Sequence, residues 1–99
     1  MMQCDSLEAV RNQIDRVDRL MLSLLVERGA YVKQAARFKA SAAEVPAPQR
    51  VETVIARIVA LAREFGADPA VAEATWRAMI AAFIRGELAE HASLHPPST

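Results

Sequence analysis

Arg28 and Lys39 stand eleven residues apart in a stretch rich in helix formers. At about 100° per residue they differ by only about 20°, so one helix presents both on one face, about 16 Å apart along its axis. Arg11 precedes Arg28 by seventeen residues. It falls about 25 Å away and about 100° around the same helix. The three cannot converge on one straight helix; Arg11 joins the other two only if it comes from an antiparallel partner helix. The chemistry open to such a group is recognition of anions, because arginine's planar fork can take a carboxylate through two hydrogen bonds. Taken singly, each cation also reads as a solvated helix-face charge, as do Arg16, Arg19, Lys33, Arg37, Arg57, Arg63 and Arg77.

Other chemistries find little support. No Ser–His or Cys–His arrangement, metal-ligand cluster or glycine-rich phosphate loop is legible in the chain. Lys+Arg and Asp+Glu both number 12, so the formal net charge is zero, against the basic excess that a general nucleic-acid or membrane-surface binder carries. The single cysteine, Cys4, permits no disulfide within the chain. No run of about 18 apolar residues is present for a membrane span. The N-terminus lacks the basic-then-apolar order of a secretory signal, and a cytoplasmic location is expected. At 53% hydrophobic and 24% charged the composition is that of a folded globular chain, with 99 residues enough for a single domain.

The elements that must position the cations are helices. Leu7, Val10, Ile14, Val17, Met21, Leu24 and Leu25 recur at spacings of three and four, followed by Val32, Ala35, Ala36 and Phe38. This pattern predicts a first helix from about residue 6 to about residue 41, with Asp5 and Glu8 as a capping box. Residues 42–48 read as a loop around Pro46 and Pro48. A second helix is expected over 48–65, with Val51, Val54, Ile55, Ile58, Val59 and Leu61 on its apolar side and Gly66 as its stop. Asp68-Pro69 opens a third over 69–92, with Val71, Trp76, Met79, Ile80, Phe83, Ile84 and Leu88 as buried candidates. The tail, 93–99, is expected to fray.

The first helix is too long for its chain. At 1.5 Å per residue it extends on the order of 50 Å, whereas a compact domain of this size has a radius of gyration of about 13 Å. Two shorter helices cannot cover its apolar stripe, which predicts a dimer. The alternative is a break near Gly29, giving a monomeric four-helix bundle.

Three strings, LEAVRNQIDRVD, LLVERGAYVKQAARFKA and VPAPQRVE, resemble the AroQ-type, all-helical chorismate mutase family. The match spans almost the whole chain: arginine in the first turns, Glu-Arg in the middle, and Phe-Lys before the loop. FKAS…VPAPQRV is closer to the family's isochorismate pyruvate-lyase branch than to ordinary mutases. The resemblance implies an all-α, three-helix protomer intertwined with a second as a homodimer, with two equivalent active sites. It implies that Arg11 of one chain meets Arg28, Lys39, Arg50 and Glu87 of the other. Arg11 and Arg28 would clamp the two carboxylates of a small dicarboxylate substrate, isochorismate or chorismate. Lys39 would stand beside the ether oxygen of the breaking C–O bond, with Glu87 facing the same oxygen, and Arg50 would add a carboxylate or loop-closing contact. No cofactor, metal, nucleic acid or membrane is implied. The implied reaction is concerted and pericyclic, conversion of isochorismate to salicylate and pyruvate with weak chorismate mutase activity beside it. The protein's task is to hold a reactive conformer and stabilise negative charge on the departing oxygen. A chorismate mutase and a non-catalytic helical dimer are the alternatives.

Two departures from the family pattern bear on that choice. Ordinary mutases carry a glutamate just after the loop arginine, contacting the substrate's C4 hydroxyl; here that place is Val51, with Glu52 one residue later. Phe83 stands where some mutases have a small polar residue. Both favour isochorismate, although both residues also fit apolar helix stripes. Glu87 stands where glutamine is common; a protonated carboxyl there donates a hydrogen bond as glutamine does, while an ionised one opposes the developing charge.

Overall fold

The computed structural model describes residues 2–38 and 48–94. Three α-helices account for most of them: α1 over Leu7–Ala36, α2 over Pro48–Phe65 and α3 over Pro69–Leu94. No strand occurs among the described residues, so the all-α expectation holds. The residues group into two compact units, Met1–Val32 and Lys33–Thr99.

The first unit is built on α1 as far as Val32. Its start is one residue from the expected cap. The Ser6 hydroxyl, not the Asp5 carboxylate, accepts the Ala9 N–H at 3.0 Å, and the Ser6 carbonyl accepts the Val10 N–H at 3.1 Å. Ser6 is therefore the N-cap, and the reciprocal box with Glu8 is replaced by a single cap, with Glu8 favouring the helix N-terminus by its charge. The helix runs unbroken through Gly29, so the break considered from sequence does not occur. Thirty residues give it a length of about 45 Å.

No residue of α1 is buried. The stripe from Leu7 to Leu25 is exposed, and the helix is apolar beyond that stripe in its middle. Over residues 20–26 the 100° step sends Leu20 and Leu24 to one side of Met21, and Leu22 and Val26 to the other. Leu24 is 65% and Val26 74% exposed, and Ser23 is the one polar residue in the segment. A helix that is apolar nearly all round is one that a larger assembly buries.

The end of α1 comes earlier than the expected residue 41. The Arg37 and Phe38 N–H groups bond three residues back, to Gln34 and Ala35 carbonyls at 3.1 and 3.0 Å, tightening the last turn. Phe38 is 89% exposed, so no packing favours a further helical turn there.

In the second unit α2 and α3 pack together as a hairpin. Three residues join them, and each has a local reason. Gly66 takes φ +78°, the left-handed region that glycine enters without a Cβ clash. The Ala67 N–H bonds the Ala62 carbonyl at 2.7 Å and the Gly66 N–H bonds the Arg63 carbonyl at 3.3 Å, the paired bonds of a Schellman stop. Asp68 Oδ1 then accepts the Ala70 N–H at 2.9 Å, capping α3 ahead of Pro69. Ile55 and Ala62 of α2 and Ile80 of α3 are the buried core. Trp76, Met79, Phe83 and Ile84 are half-buried beside them.

Two of the residues proposed as buried on α3 are not. Val71 is 63% exposed: it precedes Ile80 by nine residues, which turns it about 180° from the buried side. Leu88 is also exposed, eight residues beyond Ile80 and at the edge of the stripe.

Candidate active site

Arg11 and Arg28 both lie on the uninterrupted α1, Arg11 exposed and Arg28 half-buried. The continuous helix keeps their Cα positions about 25 Å apart and about 100° out of register, as the spacing requires. One copy of α1 thus carries two arginines that cannot hold the same small anion. Lys39 and residues 42–47 of the expected loop lie outside the described residues.

On the second unit, Arg50 sits in the first turn of α2, exposed and just after Pro48. Val51 follows, half-buried, on the side that carries Ile55 and Ala62. Phe83 and Glu87 are four residues apart on α3, one above the other, and both are half-buried. Glu87 lies seven residues beyond Ile80 and so shares its face. Glu73, seven residues before Ile80, falls on the same face, so a half-buried carboxyl stands on either side of Ile80 along α3. Among the described residues no group of three His, Cys, Asp or Glu side chains is placed to hold a metal ion.

One cation has a role that its sequence did not disclose. Arg77, which alone reads as a solvated charge, donates from Nη1 to Glu52 Oε1 at 3.2 Å and from Nη2 to Glu52 Oε2 at 3.1 Å. Its Nε donates to Glu73 Oε2 at 2.8 Å, one turn back on α3. The hydrogen bonds to Glu52 first, and to Glu73 second, raise the Arg77 guanidinium above its ordinary pKa, so it stays cationic wherever the carboxylates are ionised. The Glu73–Arg77 spacing of four was a legible signal. The bond to Glu52, 25 residues away, was not.

The consequence for the site lies with Glu52. It is the one carboxylate beside Val51 in sequence, and both of its oxygens are engaged by Arg77 at the edge of the hairpin. It cannot stand in for an acid at Val51 without leaving that fork. The place after Arg50 is therefore apolar in fact as well as in type.

Comparison with known proteins bears on these placements. Residues 10–88 match the family model described as chorismate mutase type II. The chain is also 36% identical over 85 residues to the isochorismate pyruvate lyase of Pseudomonas aeruginosa, an alignment that covers 86% of this chain and 84% of that protein. The match includes α2, most of α1 and α3 up to Leu88.

Proposed function

The chain belongs to the chorismate mutase type II family, a family of enzymes, and on that premise we propose that it is an isochorismate pyruvate-lyase acting as an intertwined homodimer. The observation that carries the choice of reaction is the pair Val51 and Glu52. Val51 leaves no acid to hold a C4 hydroxyl, and the Arg77 fork withholds the neighbouring carboxylate. Isochorismate carries its hydroxyl elsewhere on the ring and loses nothing by that change. The 36% identity to a lyase over most of both chains supports the same reading.

The reaction asks for binding and electrostatics more than for proton transfer by the protein. Arg11 and Arg28 hold the two carboxylates and fold the enolpyruvyl arm over the ring. The ring then gives a hydrogen to the methylene of that arm as the ether C–O bond breaks. The arm leaves as pyruvate with a methyl group, and the ring becomes aromatic as salicylate. Lys39 stabilises the negative charge that gathers on the ether oxygen as the bond lengthens, with Glu87 facing the same oxygen. Phe83 presents an apolar wall to the ring, and Arg50 adds a cationic contact at the mouth of the site.

The homodimer reading draws on α1. A helix of 30 residues with none buried, and with the apolar segment 20–26 facing several directions, supports a second copy that covers it. The same partner would bring its Arg11 to the Arg28 of this chain, which one copy cannot do for itself. Sedimentation at micromolar concentration should show a dimer; monomer alone would overturn this part of the reading.

Incubation of the purified protein with isochorismate and with chorismate tests the reaction. Salicylate fluorescence from isochorismate, with little prephenate from chorismate, is expected. Prephenate as the main product would make the protein a mutase, the reading that the family description favours. Neither product would leave a helical dimer that binds without catalysis.

A further inference from the structure

Arg77 has no part in the reaction above, yet its guanidinium ties two helices together. From its own helix it is held by Glu73, through the 2.8 Å bond at Nε. Across the hairpin it meets both oxygens of Glu52, at 3.2 and 3.1 Å. Two parallel N–H groups on one carboxylate restrict direction as well as distance, which a lysine at this place would not do.

The point of attachment is what gives the fork a function. The buried residues of α2 are Ile55 and Ala62. Its first turn, from Pro48 to Arg50, is exposed, and Val51 is half-buried. The end of α2 that carries Arg50 is thus the end with the least apolar anchorage. Glu52 follows Arg50 by two residues, about 200° around the helix, so the two stand on opposite edges of the packed face. A grip on Glu52 at one edge sets the rotation of this end of α2, and rotation is what swings Arg50 on the other edge.

We infer that Arg77 is a positioning residue for Arg50: by holding Glu52 it fixes the first turns of α2 against α3 and thereby aims Arg50 at the anionic substrate. The inference rests on the reading of Arg50 as a substrate contact. Arg77 and Glu52 are 44% and 63% exposed at their side chains, and exposed ion pairs add little to stability. Their effect belongs in the geometry of the site, where displacements of about 1 Å can change rates by up to about a hundredfold.

The test uses full-length Arg77→Ala, Arg50→Ala and the double variant, assayed on whichever substrate the protein turns over, isochorismate or chorismate. Arg77→Ala should raise KM about three- to tenfold with kcat within about twofold, as expected when a contact common to ground and transition states is weakened. Its melting temperature should fall by about 5 °C or less at matched concentration. Because Arg77 acts through Arg50, Arg77→Ala should add nothing to KM in the Arg50→Ala background. Glu52→Ala should reproduce Arg77→Ala. A purely structural role would instead lower the folded fraction, and so kcat, and leave KM alone. The inference is overturned if Arg50→Ala raises KM and Arg77→Ala does not, or if the two effects add in the double variant. An Arg50→Ala variant with unaltered KM overturns the substrate-contact reading of Arg50, and the inference with it.

Discussion

Glu87 follows Ile80 by two turns of α3, so a carboxyl rides on the same face as a buried isoleucine and stands half-buried there. A carboxyl drawn part of the way out of water has to be hydrogen-bonded or put to use. Its use in the proposed reaction is as a hydrogen-bonding group that faces the ether oxygen beside Lys39.

Glu87→Ala is therefore expected to lower turnover by about tenfold or more, while Glu87→Gln, which keeps a hydrogen-bond donor at the same place, should retain most of it. Steady-state kinetics of the two variants measure this. Equal turnover in Glu87→Ala and the wild type would remove Glu87 from the ether oxygen.

Val51 is the residue expected to set substrate choice. Val51→Glu restores an acid after Arg50 and should shift the ratio of chorismate to isochorismate turnover upward by about tenfold, since a buried polar group penalises the substrate that leaves it unpaired. Product analysis on both substrates gives the ratio, and a ratio that does not move would mean that Val51 only packs.

Arg11 and Arg28 should complement each other across the dimer. Arg11→Ala and Arg28→Ala are each expected to be inactive while still dimeric. Unfolded together and refolded in equal amounts, they should recover about one quarter of wild-type activity, because half the dimers are mixed and each mixed dimer holds one intact site of its two. No recovery would show that Arg11 and Arg28 do not share a site across two chains.

Gly66 holds the hairpin turn at φ +78° with nothing within 4 Å of where a Cβ would lie. Gly66→Ala should destabilise the fold by about 1 kcal/mol through backbone strain alone, not through a clash. Denaturant midpoints at fixed protein concentration check the value. A neutral result would mean that the turn readily takes another conformation.

Much of the helical layout was legible because its punctuation is local. Pro48 opens α2, Gly66 closes it, and Asp68-Pro69 opens α3, each acting within one turn of the chain. At the start of α1 the same kind of signal was ambiguous: Asp5 and Ser6 both offer an oxygen, and Ser6 makes the cap. The apolar breadth of residues 20–26 was present in the sequence too, but a reading confined to one stripe at spacings of three and four passes over Leu20, Leu22 and Val26. Val71 failed the other way, an apolar residue assigned to a face from which it is turned half a revolution.

By itself the sequence determined three helices, the turn between the second and third, and the separation of Arg11 from Arg28. These follow from backbone hydrogen bonds, capping groups and a fixed angular step, all of which act between near neighbours. The tertiary structure alone decided that Arg77 grips Glu52 and that Glu87 is drawn into a half-buried place. Those depend on how two helices are rotated about their own axes when Ile55, Ala62 and Ile80 come together. That rotation is set by the summed packing of the hairpin, and no single stretch of chain encodes it.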